Sequence, residues 1–400
     1  MYKVAIIGGG ASGLMLACKL SQKIDGKQIA LFEKGNRVGK KLSLTGNGQG
    51  NISNENVSES KYFCDDYAIL NSVLNSYAVS DLKKDFFTLG GIVKKDKEDR
   101  LYLSSYQASA VVDLLRLEIA RRKVEEKVDT FIEKVSFERG AFKLFIRDKE
   151  PVFAEKVVVA TGGIASLNLD KGEPYTILKD FGHTITPLYP SLVQLVTEKE
   201  NLGVLKGVKS ECNVKLIVDG NVVAEKYGDL LFTDYGVSGD SIFKLSAFYD
   251  ERKESYLSVD FSNGIEKETI KDLLINKIKS GAFNKDLFVG IIKKQIGLAL
   301  LKRLDINGND KSQFADLERI IDCLYDFRIK VVKSMGFKNC QVTKGGARLS
   351  EFTFSLESKK QKGLFAMGEV LNVDGECGGF NLHFAFACAS TVANKILKDL

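Results

Sequence analysis

No stretch of this 400-residue chain reaches the roughly 18 consecutive apolar residues that a membrane span needs; glycine or lysine breaks the most apolar windows. The N-terminus lacks a charged segment followed by an unbroken apolar core and a cleavage site, so no signal peptide is expected. The seven cysteines contain no C-x-x-C pair. That argues against a zinc site or disulfide framework, and for reduced thiols in the cytoplasm. Histidine occurs only twice, no metal-ligand spacing appears, and no Ser-His-Asp order stands out. Charge of one sign is also scarce in excess: 58 basic against 52 acidic residues leave +6, with no basic tract. This balance fits an anionic cofactor or a small-molecule substrate; neither a nucleic acid nor a membrane is expected as partner.

What is present reads as an α/β protein. The length predicts two or three domains. Val4–Ile7 is a short buried strand, Gly8 to Gly13 a turn, Leu14–Lys23 a helix, and Ile29–Phe32 a second strand. This is a βαβ unit, whose strands run parallel. Residues 68–90 and 107–122 are helix-like, and 127–148 reads as strand pairs turning at Arg139-Gly140. Residues 156–160 form another apolar strand. From 191 to 262 short strands alternate with turns, Asp219-Gly220-Asn221 being a hairpin signal. Residues 265–334 lean helical, strand and glycine character returns at 341, and 382–397 reads as a closing helix. The expected division is a nucleotide-binding domain of 1–190 plus 341–400, an inserted β-rich domain of 191–262, and a helical subdomain of 263–340.

Gly8, Gly10 and Gly13 form G-x-G-x-x-G between the first strand and its helix. The first glycine permits the tight turn, the second lets a pyrophosphate approach the backbone, and the third lets helix and strand pack closely. Ala11 and Ser12 lie within the motif, where the helix N-terminus offers N–H groups to phosphate. Glu33, twenty residues after Gly13, stands at the end of the second strand beside Lys34. A carboxylate there accepts ribose hydroxyls and repels a 2′-phosphate. No second G-x-G-x-x-G lies between a strand and a helix, so a nicotinamide donor must dock transiently. The VVVATGG segment, with Ala160, Thr161 and Gly162, resembles the return strand and turn of two-domain flavoproteins. Gly368-Glu369 with Asp374 resembles their segment beside the ribityl chain, and Gly379, Phe380, Asn381 and Leu382 would open a helix aimed at the flavin. FAD is therefore the expected cofactor.

GKKLSLTGNGQGNISN (39–54), LLFTDYGVSG (230–239), TKGGARLSE (343–351) and GLFAMGEVLNVDGECGGFNL (363–382) together resemble the BaiN-like NAD(P)/FAD-dependent oxidoreductases. That family includes an aminoacetone oxidase and a reductase of bile-acid dehydro-intermediates. The resemblance implies a Rossmann-like FAD-binding domain with an inserted β-barrel-like domain and a small helical domain. It implies that Lys40, Lys41, Thr45, Gly46, Gly48 and Asn51 lie along FAD, and that Ile132 meets the adenine through its backbone. Three departures stand near the flavin: Gln49-Gly50-Asn51 replaces the family's G-R-C-N, Asp240 follows Gly239 where Gly-Pro is common, and His383 replaces a Gln.

Three residues are candidates for chemistry. Tyr235 is a proton donor after hydride transfer, His383 a proton-transfer or substrate-binding group, and Lys344 an anchor for negative charge on the flavin or substrate. The leading expectation is a reductase passing hydride from NAD(P)H through FAD to a conjugated C=C. An amine oxidase using oxygen and a flavin-containing RNA modifier are the alternatives.

Overall fold

The computed structural model describes residues 1–165, 174–198 and 202–399. They form two compact units, Met1–Tyr189 with Val342–Leu400, and Pro190–Gln341.

The first unit is built on strands β1 (Tyr2–Ile7), β2 (Ile29–Phe32), β3 (Glu125–Lys127), β4 (Ile132–Glu138), β5 (Ala141–Ile146) and β6 (Val152–Val159). Their order is β3-β2-β1-β6-β5-β4. β1 runs parallel to β2, with Val4 opposite Ile29, and to β6, with Ile7 opposite Val159. Val4–Ile7 is continuously apolar because helices cover both faces of a parallel sheet. Helix α1 (Ala11–Leu20) links β1 to β2 as the glycine motif predicts. The 68–90 segment is two helices, α2 (Tyr67–Asn75) and α3 (Val79–Thr88). The Asp81 carboxylate accepts the Ala78 N–H at 2.8 Å and so caps a new start after α2 ends. Helix α4 (Ala108–Arg121) follows, and β4 turns into β5 at Arg139-Gly140, both with positive φ (53° and 84°). That is the twist-matched hairpin turn. Short α5 (Thr176–Asp180) precedes His183. Ile185, two residues after His183, makes an isolated bridge to Ala347.

The second unit contains a closed barrel of six strands: β7 (Leu195–Thr197), β8 (Lys209–Val218), β9 (Asn221–Phe232), β10 (Gly236–Ser238), β11 (Ser255–Asp260) and β12 (Phe327–Ser334), in the order β7-β10-β9-β8-β11-β12. Val214, Leu216, Phe232, Leu257, Val259 and Phe327 fill its core. Helix α6 (Asp240–Ser246) packs on β9, and α7 (Lys267–Lys279), α8 (Lys294–Arg303) and α9 (Leu317–Tyr325) follow. β12 corrects the helical reading of 265–334. Phe327, Ile329 and Val331 point inward while Arg328, Lys330 and Val332 do not, the period of two that marks a strand. Leu257 pairs with Ile329 across the ladder.

Strand β13 (Leu364–Ala366) then joins β6 in parallel, Val158 opposite Phe365, back in the first unit. Helix α10 (Phe380–Lys398) packs against α1. No helix among the described residues is long and apolar enough to cross a membrane.

Candidate functional site

β2, β1, β6 and β13 are adjacent and parallel, so their carboxyl ends share one edge of the first unit. Glu33, Gly8 and Ala160 immediately follow the first three, and Gly368-Glu369 stands two residues after the last. Ligands of open α/β sheets bind at that edge.

The glycines of the first turn differ in what they are for. A Cβ on Gly8 would lie 2.2 Å from the Ala160 carbonyl oxygen, and φ there is +115°. A Cβ on Gly13 would lie 2.0 Å from the Gly8 carbonyl oxygen. The fold itself therefore demands both. Gly10 is the N-cap of α1 with φ −80°, and a Cβ there meets nothing within 4 Å. The protein leaves room over Gly10 that its own packing does not require, which suits a pyrophosphate seated on the start of α1. Ala11 and Ser12 sit in that first turn. The Glu33 carboxylate is held by two backbone donors, Gly9 N–H at 3.0 Å and Gly35 N–H at 2.7 Å. Each oxygen keeps a lone pair for a ribose hydroxyl. Lys34 is half-buried beside it. Thr130 N–H donates to the Glu33 carbonyl at 2.9 Å, which brings Ile132, two residues on, to the same end.

The 39–54 loop is pinned from within. Thr45 Oγ1 donates to the Leu42 carbonyl at 2.7 Å, and Gly46 and Gly48 have positive φ. Lys40 is exposed, whereas Lys41 Nζ pairs with Glu369 at 2.8 Å. Gly50 explains one departure from the family loop: a Cβ there would lie 2.8 Å from Ala108 Cα at the start of α4. Glu369 also accepts the Thr343 N–H at 2.9 Å. Gly162 borders Glu369, and Thr161 Oγ1 donates to the Pro174 carbonyl at 2.7 Å. Gly368 borders the Ser12 hydroxyl. At the start of α10, Gly379 has φ +97°, Phe380 is buried and accepts the Tyr62 hydroxyl, and Leu382 packs on the core. The Asn381 side chain brackets Gly375, accepting its N–H and donating to its carbonyl, both at 2.8 Å.

Among the described residues of this unit, three buried side-chain atoms have no hydrogen-bond partner: Asn51 Oδ1, Tyr175 Oη and Asp374 Oδ2. Orphaned buried polar atoms are rare, and a bound ligand or water is one way to satisfy them. Asp374 is 1% exposed, and burial pushes its carboxyl up to about 7; Glu369 raises it further and Lys344 opposes. Lys344 Nζ stands 5.1 Å from the Phe63 ring centre. The residues fit FAD: bare backbone for pyrophosphate, an acid for ribose, and orphaned polar groups for the flavin half.

His383 is corrected. It is 0% exposed, with Nδ1 2.8 Å from Ser53 Oγ and Nε2 3.2 Å from the Tyr77 carbonyl. Burial holds its ring neutral, its pKa down to about 4. Both nitrogens are engaged inside the fold, so it reaches no substrate. Tyr235 belongs to the second unit, half-buried in a turn where Thr233 N–H donates to the Gly236 carbonyl. Tyr175 escaped sequence reasoning, because a tyrosine ahead of a short helix carries no motif.

A family model described as HI0933-like protein Rossmann domain matches residues 2–395. The chain belongs to this family. It is thereby an FAD-dependent oxidoreductase with a Rossmann-like fold. It is 31% identical over 399 residues to the 3-dehydro-bile acid delta(4,6)-reductase of Clostridium scindens, covering 97% of both chains. It is 26% identical to the ribosomal RNA dihydrouridine synthase of Escherichia coli, covering 99% of this chain and 98% of that one. Among solved structures, a quinol-fumarate reductase aligns at TM-score 0.49 and 14% identity, covering 99% of this chain and 70% of that one.

Proposed function

We propose that this chain is a reductase that takes hydride from NADH or NADPH and delivers it to a carbon–carbon double bond conjugated with a carbonyl in a small organic substrate. The observation that carries this is its full-length similarity to a delta(4,6)-reductase of a 3-dehydro-bile acid, whose name describes such a bond. Bound FAD would supply the hydride-transfer chemistry between donor and substrate. The protein's part is to bind, orient and move a proton. Gly10 admits the pyrophosphate, Glu33 takes the ribose hydroxyls, and the start of α10 offers N–H donors and a positive helix end to the flavin. Tyr235 would give a proton to the substrate carbon neighbouring the one that takes hydride, and Lys344 would balance negative charge near Asp374. The seven free cysteines fit a reducing, cytoplasmic setting.

A second reading has support of its own. Two ribosomal RNA dihydrouridine synthases, 26% and 23% identical, match nearly the whole chain. Their named product is uridine reduced across the uracil double bond, also conjugated with a carbonyl. The expectation of no nucleic-acid partner weighs against that similarity, and the reacting bond class is common to both readings.

The test is anaerobic addition of NADH or NADPH to the yellow protein, followed by a steroid dienone or by ribosomal RNA. Bleaching by either nicotinamide, then recovery of colour on adding the dienone, is expected. Recovery only with RNA would move the assignment to the second reading. A flavin that neither nicotinamide reduces would overturn both.

A further inference from the structure

Tyr175 combines deep burial with an unmet hydrogen bond. It is 1% exposed, yet its hydroxyl has no partner. A phenol whose oxygen served only packing would be better as phenylalanine, because a buried O–H without a partner loses its hydration for nothing. Tyrosine is kept where the hydroxyl reaches something.

Its surroundings say where that something lies. Pro174, the residue before it, is tied to Thr161 in the turn that follows β6. The Glu369 carboxylate acts on the phenol electrostatically and, after burial, is the second cause that raises its pKa. Glu369 is already engaged by Lys41 and by Thr343 N–H, and the tyrosine hydroxyl makes no bond to it. Tyr175 thus directly follows the residue bonded to the 160–163 turn, at the end of β6, within electrostatic reach of the Glu369 carboxylate.

The order of the sheet assigns the part of the ligand. Glu33, for the adenosine ribose, follows β2; the open Gly10, for the pyrophosphate, follows β1; β6 and β13 lie next in line. A dinucleotide laid across these ends in that order places its flavin half by β6 and β13. We propose that Tyr175 is a cofactor-contacting residue whose hydroxyl donates a hydrogen bond to the ribityl chain of FAD beside Glu369. This rests on the FAD site described above.

Tyr175→Phe removes one oxygen. Protein stripped of FAD should melt at the same temperature as the wild type or slightly higher, since the fold loses only an orphaned group. Retitration with FAD, followed by flavin fluorescence, should show affinity weaker by about tenfold, the worth of one good hydrogen bond. ADP, which carries only the other half of the cofactor, should bind both proteins equally. Equal FAD affinity in the two proteins overturns the contact. So does a loss of ADP affinity as large as the loss for FAD, or a stripped variant that melts several degrees lower, because the hydroxyl would then serve the fold. Wild-type protein that takes up no FAD while folded would sink the cofactor site itself, a result distinct from equal binding.

Discussion

Replacing each motif glycine with alanine should separate what the fold needs from what the cofactor needs. Gly13→Ala puts a methyl 2.0 Å from a backbone oxygen, and Gly8→Ala puts one 2.2 Å from another at φ +115°. Neither oxygen belongs to a flexible side chain, so the backbone must move. Overpacking of this kind costs about 3 kcal/mol, with about 1–3 kcal/mol more for the strained φ at Gly8. In a unit of this size that lowers the melting temperature by roughly 6–12 °C at the lower cost. Gly10→Ala is different. Its φ of −80° suits alanine, and the methyl meets nothing within 4 Å. The gain from a less flexible unfolded chain, about 0.4–1 kcal/mol, nearly offsets the loss of a favourable N-cap residue. The stripped Gly10→Ala protein should therefore melt within about 3 °C of wild type. Its FAD affinity should nonetheless fall about 10- to 100-fold, as the methyl occupies the pyrophosphate's approach. Scanning fluorimetry of the stripped proteins and fluorescence titration with FAD read the two effects separately. A Gly10→Ala protein that retains FAD at wild-type affinity refutes the argument, as does one that unfolds as early as Gly13→Ala.

Two buried groups should oppose each other in the pH dependence of the stripped protein. Asp374 sits at about 7 in the fold against an ordinary 3.8, so its contribution is full below pH 4 and is lost as pH rises toward 7, by about 4 kcal/mol. His383 sits at about 4 against 6.5, so its contribution is full above pH 6.5 and is lost as pH falls toward 4, by about 3 kcal/mol. Asp374→Asn should therefore uncover an acid-sensitive profile in urea melts between pH 4 and 7; a profile parallel to wild type would show that Asp374 is not a buried neutral acid. Tyr235→Phe should slow substrate turnover at least tenfold while leaving the rate of flavin reduction by nicotinamide unchanged in stopped flow. Unchanged turnover would remove Tyr235 as proton donor.

The parts of this protein written in short-range pattern are legible in its sequence. The run Val4–Ile7, three glycines at fixed spacing and an acid twenty residues on specify a βαβ unit and its ligand, because turn, helix start and strand end are local matters of backbone sterics. The hairpins at Arg139-Gly140 and Asp219-Gly220 were legible for the same reason. β12 was misread because the lysine- and leucine-rich helices before it set the pattern, while its own alternation spans only eight residues. His383 shows the other limit. At the start of α10 it reads as chemistry, but its partners Ser53 and Tyr77 lie 330 and 306 residues away in the chain. Only packing decides whether a histidine meets solvent or a serine. Tyr175 gains its meaning in the same way, since an unpaired hydroxyl is a property of everything around it. Sequence alone thus determined the nucleotide fold and its glycine-lined end, which rest on local conformation. The tertiary structure decided which polar groups are satisfied by the protein and which are left without a partner, because burial and hydrogen bonding are settled between residues far apart in the chain.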